Sequence, residues 1–306
     1  MDGERFLVTG ALGCIGAWTC AALAEEGVEV VGYDLGDSRH RLALAGAADV
    51  EVIRGDVTDR EALGRVLDGR GITHVVHLAA LLIPMIKADP PYGTAVNVGG
   101  TVNVLDLAKT RGIRVAYASS AAVYSQADDV GRPVPNDAVG HPTTFYGVHK
   151  QSCEGLARIF WREEGVPSVG IRPFVVYGPG RDAGLTASPT LAMAAAARGE
   201  DATIAFGGRT QLQYARDAAR VFVASARAAT EGARVFHLGG PAVRLDDVAV
   251  AIAELAGVSV AVDEAVRLPF PEEFDGSALE QAIGPIGWTP LEAGVRATLD
   301  AYASVS

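Results

Sequence analysis

The chain has 306 residues, of which 49% are apolar and 21% charged, enough to build a large core and too apolar for a disordered chain. A formal charge of −11 and a pI near 5.0 argue against nucleic acid or an anionic membrane as main partner, since both select basic surface. The N-terminus carries acids where a secretion signal needs bases, the uncharged stretch Gly71 to Ile86 is interrupted by His74, His77 and Pro84, and Cys14, Cys20 and Cys153 lack metal-ligand spacing; a cytoplasmic protein with no metal site is expected.

In chain order, β-branched runs at Phe6 to Val8, Val28 to Tyr33, Val50 to Ile53, His74 to Leu78, Arg114 to Ala118 and Ser168 to Arg172 predict strands. Helical patterns fall between several of them, at Ile15 to Glu26, Arg60 to Leu67, Thr94 to Lys109 and Tyr146 to Glu164. This alternation predicts βαβ units and a parallel sheet with helices on both faces. The rhythm changes after Gly178-Pro179-Gly180. Helices are expected at Leu191 to Arg198, Asp217 to Thr230, Asp246 to Ala256 and Thr289 to Tyr302, with strands at Ala202 to Phe206, Val235 to Leu238 and Val258 to Val262. The expected fold is α/β, a Rossmann-type doubly wound parallel sheet over residues 1–177 with a smaller C-terminal α/β substrate-binding region over 178–306. Residues 210–240 are expected to return to the first unit.

Thr9-Gly10-Ala11-Leu12-Gly13-Cys14-Ile15-Gly16 lies between the first strand and the first helix. Unpaired N–H groups and the positive dipole end collect there, and glycines let a pyrophosphate approach the backbone. Asp34 ends the second strand about 20 residues on, where a carboxylate can bind the ribose hydroxyls and repel a 2′-phosphate. NAD is thereby favoured over NADP, with Arg39 and Arg41 close by in sequence as the counterweight. Gly55-Asp56-Val57 after the third strand and His77-Leu78-Ala79-Ala80 at the end of the fourth suit the adenine side. Tyr146-Gly147-Val148-His149-Lys150 places a phenol and an ammonium on one helix face. An ammonium beside a phenol stabilises the phenolate and makes a base. Upstream, Ser119-Ser120-Ala121-Ala122-Val123-Tyr124 brings a hydroxyl to the end of the fifth strand.

Taken in this order, these motifs resemble the extended short-chain dehydrogenase/reductase family, the NAD-dependent epimerase/dehydratase group. Asn97-Val98-x-Gly100-Thr101 and Arg172-Pro173-x-x-Val176-Tyr177-Gly178-Pro179-Gly180 extend the likeness to about residue 240. The resemblance implies Tyr146 as catalytic acid/base, Lys150 holding the nicotinamide ribose, and Ser120 binding the reacting oxygen. It implies NAD contacts from Gly10, Gly13, Cys14, Ile15, Gly16, Asp34, Asp56, Val57, Leu78, Ala79, Ala80, Asn97, Pro173 and Val175. Leu82, Ser120, Ala121, Tyr146, Arg181 and Gln213 are the expected substrate contacts, and a homodimer is expected from the same source.

Two departures narrow the chemistry. Dehydratases of this group carry an Asp-Glu pair where this chain has Ala121-Ala122, so dehydration is not expected. Nucleotide-sugar members carry Asn at Val175 and a diphosphate-binding Arg at Gln213, and losing the guanidinium removes the natural bidentate phosphate partner. The expected activity is hydride transfer at a secondary alcohol of a sugar, sugar acid or related hydroxy compound. A UDP-sugar 4-epimerase with tightly bound NAD is the alternative, and a non-catalytic NAD-sensing protein is the alternative of another class.

Overall fold

The structure, a computed structural model, describes residues 3–129 and 133–304. In chain order its strands are β1 (Arg5–Thr9), β2 (Glu29–Asp34), β3 (Val52–Arg54), β4 (His74–His77), β5 (Arg114–Ala118), β6 (Ser168–Arg172), β7 (Val175–Tyr177), β8 (Ala202–Ile204), β9 (Arg209–Tyr214), β10 (Ala233–His237), β11 (Ala242–Arg244) and β12 (Val260–Val262). Seven of them form one sheet in the order β10-β6-β5-β4-β1-β2-β3, every neighbouring pair parallel. The Rossmann-type doubly wound sheet expected from the strand–helix alternation is therefore present. β10 joins it from beyond the point where the rhythm changes, pairing Ala233–His237 with Ser168–Arg172.

The middles of the central strands are apolar because both faces are covered. Phe6, Val8, Val76 and Ala116 point to one side, onto the helices Cys14–Glu25 and Ala215–Arg227. Leu7, Val75, Val115 and Tyr117 point to the other, onto Arg60–Arg70, Gly100–Lys109 and Phe145–Glu164. Strand side chains alternate with period two, so each strand feeds both cores. A third core lies outside the sheet. There β7 and β9 pack with the helices Ser188–Ala196, Leu245–Ala256 and Leu291–Ala303, while β11-β9-β7 form a small mixed sheet and β12-β8 a parallel pair.

One expected element differs. The pattern over Thr94 to Lys109 predicts one helix, but the chain forms a short helix Pro90–Thr94, a π-helical turn Ala95–Gly99 and then the helix Gly100–Lys109. Apolar periodicity does not distinguish i→i+4 from i→i+5 bonding, and π turns are frequent at functional sites. Asn97 lies in this one.

Candidate active site

In a parallel sheet every strand's carboxyl end opens on the same edge, and ligands settle where neighbouring strands send their connections to opposite faces. That point is between β1 and β4. A cleft of about 410 Å³ lies there, bordered among others by Gly10, Gly13, Asp34, Asp56, Leu78 and Ala80. Gly10 has φ +71°, and a Cβ on it would lie 2.7 Å from the Ala79 nitrogen. A Cβ on Gly16 would lie 2.1 Å from the Gly10 carbonyl oxygen. These two glycines let the turn close on β4 and on itself. Gly13 differs: its only near neighbour would be the Gly10 oxygen at 3.1 Å, and it precedes the helix with no side-chain cap. The first-turn N–H groups of that helix therefore face an open space, which suits a pyrophosphate. The Cys14 side chain turns aside, its Sγ 3.9 Å from the Pro179 oxygen, and burial pushes its thiol up to about 12. Any contact from residue 14 to a cofactor is thus through its backbone.

Asp34 holds the rim. Its Oδ2 accepts from the Leu12 N–H and its Oδ1 from the Gly36 N–H, both at 2.9 Å. Asp56 closes the far side, accepting from the Thr58 N–H (2.9 Å) and from the Tyr92 hydroxyl (3.3 Å). Neither nearby arginine is free: Arg39 donates to the Ala48 and Val50 carbonyls, and Arg41 to Leu12 and Asp182. An acid at the ribose position with its arginines engaged fits NAD.

The catalytic candidates come from two elements. Thr144 caps the helix Phe145–Glu164 by accepting from the Gly147 N–H at 3.0 Å. Gly147 sits directly against the turn after β5, for a Cβ there would lie 2.1 Å from the Ala122 oxygen. Tyr146 and Ser120 are thereby held on adjoining segments. Lys150 is buried, its Nζ donates to the Ala118 carbonyl at 2.6 Å, and it lies 5.6 Å from the centre of the Tyr146 ring. The Ser120 Oγ accepts from the Ala122 N–H at 3.1 Å, which leaves its proton free to donate. The Ala121 N–H donates to the Pro173 carbonyl at 2.9 Å, tying this turn to the end of β6.

Several of the expected contact residues have buried side chains. Asn97 is buried and grips the Leu81 backbone from both sides, accepting at 2.7 Å and donating at 3.0 Å. It shapes the cleft wall after β4. The Val175 side chain is wholly buried in the third core, and Ala121 is buried with Val123 and Phe274. Gln213 has no exposed surface. Its amide accepts from the Phe174 N–H at 2.9 Å and donates to the Gly239 carbonyl, clamping two chain segments. The side chains of these four residues are buried among protein neighbours. Val57 is also buried, although its residue borders the cleft. Leu82 starts the helix Ile83–Ala88 beside the cleft, half-buried. Arg181 donates to the Thr186 hydroxyl at 3.1 Å, while its Nε is buried without a partner among the described residues.

Sequence reasoning missed the support behind the site. Glu154, on the same helix as Tyr146, accepts two hydrogen bonds of 2.7 Å from Arg172 and one from the Ser119 hydroxyl. Arg172 also donates to the Tyr124 hydroxyl at 2.7 Å, and that hydroxyl lies 2.9 Å from His237 Nε2. Both members of this ion pair are buried. The available signal was Glu at four residues past Lys150, on one helix face with it.

A model of the NAD dependent epimerase/dehydratase family matches residues 6–239. The chain belongs to this family. UDP-glucuronate 4-epimerase 1 of Arabidopsis thaliana is 31% identical over 190 residues, 58% of this chain and 43% of that protein. The chain thus spans less than half the length of those plant relatives. UDP-glucose 4-epimerase of Corynebacterium glutamicum is 28% identical over 99% of this chain and 96% of its own. Among solved structures, a GalE-like L-threonine dehydrogenase from Cupriavidus necator in its holo form has 25% identity and a TM-score of 0.84, covering 99% of this chain and all (100%) of that one. No helix among the described residues is long and apolar enough to cross a membrane.

Proposed function

We propose that this family member binds NAD along the carboxyl edge of the sheet and oxidises a secondary alcohol of a sugar, sugar acid or related hydroxy compound. The supporting observation is the meeting of Lys150, Tyr146 and the Ser120 turn: a buried ammonium donates to Ala118, two residues before Ser120, and sits 5.6 Å from the Tyr146 ring. In this reading Tyr146 takes the proton of the substrate hydroxyl. Lys150 favours the phenolate by its charge, and Ser120 donates to the same oxygen as it becomes a carbonyl. Bound NAD supplies the acceptor for the hydride leaving the carbinol carbon. Gly10, Gly13, Ile15 and Gly16 would border the pyrophosphate, Asp34 the adenine ribose, Asp56 and Leu78 to Ala80 the adenine, and Pro173 the nicotinamide. Ala121-Ala122 supply no acid for a leaving hydroxyl, so dehydration is left out.

The names of the plant and Corynebacterium relatives favour a second reading, a UDP-sugar 4-epimerase. Against it stands Gln213, uncharged and wholly buried. We assign the chain to the cytoplasm, and to a homodimer through the helix Phe145–Glu164, on which Phe145, Val148 and Ile159 are exposed.

Tyr146→Phe is expected to lower kcat by about 10²–10⁴-fold while NADH affinity, read by fluorescence titration, holds. Unchanged turnover would refute the assigned base. Screening sugars, sugar acids and nucleotide sugars for NADH absorbance separates the two activities: accumulation marks a dehydrogenase, inversion without accumulation an epimerase.

A further inference from the structure

The rim of the cleft beyond β2 is formed by residues 34–38 and Arg41. A guanidinium at that place is the natural partner of a 2′-phosphate on the adenine ribose. Here the fork of Arg41 is fully engaged. Its Nε and Nη2 donate to the two Asp182 oxygens at 3.1 and 2.6 Å, and its Nη1 donates to the Leu12 carbonyl at 2.8 Å. His40 Nε2 lies 3.1 Å from the same carboxylate.

Asp182 comes from far along the chain, on the segment that follows β7. Three contacts bring it over the cleft. Trp18 Nε1 donates to the Pro179 carbonyl at 3.0 Å, the Gly180 N–H donates to the Tyr302 hydroxyl at 3.0 Å, and Gly180, at φ +86°, rests on the Arg41 stem. The Trp18 and Tyr302 contacts anchor the carboxylate's segment independently of the pair itself. Arg41 and Asp182 are only 26% and 33% exposed, so the pair is partly shielded from solvent.

We infer that Asp182 sets selectivity against 2′-phosphorylated dinucleotides by keeping the donors of Arg41 and His40 occupied at the ribose end of the cleft; the inference rests on the NAD-binding reading above. Asp34 repels the 2′-phosphate directly, and Asp182 withholds the cations that would otherwise receive it. Two acids thus act at one position, one from the end of β2 and one from the segment after β7, and Asp182 does so without touching the cofactor.

The test is fluorescence titration of the full chain with NADH and, separately, NADPH. Asp182→Ala is expected to raise NADPH affinity about tenfold, the scale of one charge-assisted contact, with NADH affinity changed far less. Asp182→Asn, which keeps the shape of the side chain and guards against a folding defect, moves NADPH affinity the same way by less. Adding Arg41→Ala to Asp182→Ala abolishes the gain. The inference is overturned if NADPH affinity stays at the wild-type level in both single variants while NADH still binds, or if the gain survives the loss of Arg41. Wild-type protein that binds neither NADH nor NADPH overturns the cofactor reading itself, a different result from either of these.

Discussion

Glu154→Gln removes one charge from an ion pair whose side chains are 3% and 9% exposed. The substitution keeps the volume and leaves the Arg172 guanidinium buried beside a neutral amide. Breaking a buried pair from one side costs about 3–5 kcal/mol. Unfolding entropy of about 2.1 cal/mol/K per residue, applied to a chain of this length, makes each kcal/mol worth roughly 1.6 °C in Tm, so the expected loss is about 5–8 °C. Activity also falls, because Glu154 joins the helix of Tyr146 to Ser119, the neighbour of Ser120; NADH affinity is expected to hold. The assays are differential scanning calorimetry, steady-state kinetics and NADH titration on Glu154→Gln, Arg172→Met and the double variant. If the penalty is an uncompensated charge, the double variant is more stable than Glu154→Gln alone. A double variant whose losses simply add would show that the penalty lies in packing, and the reasoning would be wrong.

Two further predictions concern acid and the glycine turn. His77 and His237 are pushed down to about 3, first by burial and then by Lys150 and Arg172 respectively. The unfolded chain binds those protons at about 6.5, so stability falls as pH drops below that value and goes on falling to about 3. Between pH 7 and 5 the cost is about 2 kcal/mol per histidine, read by urea unfolding at the two pH values. Imidazole NMR signals of either residue titrating near 6.5 would contradict it. In the turn, Gly16→Ala is expected to lower Tm sharply, since its Cβ collides with the Gly10 carbonyl, whereas Gly13→Ala, whose Cβ meets the same oxygen at 3.1 Å, lowers the unliganded Tm much less and weakens NADH binding. Equal effects on both variants in calorimetry and titration would remove the distinction between a glycine that closes the turn and one that leaves room in front of the helix.

Sequence alone determined the features that live on one element or on consecutive residues: the strand–helix alternation, the glycine turn before the helix Cys14–Glu25, Asp34 at the end of β2, and Tyr146 with Lys150 on one helix face. Local backbone geometry sets each of these, so spacing suffices to read them. Only the tertiary structure decided which residues face the cleft and which are buried behind it. Val175 and Gln213 are expected contacts by position, and only the fold shows them buried along β7 and β9. That Asn97, in the π-helical turn, bonds the Leu81 backbone is likewise visible only in the fold. The Glu154–Arg172–Tyr124–His237 network and the grip of Asp182 on Arg41 each join segments that only the folded sheet and its appended region bring together. Side-chain burial and ion pairing between distant segments depend on non-local packing, which one-dimensional spacing does not encode.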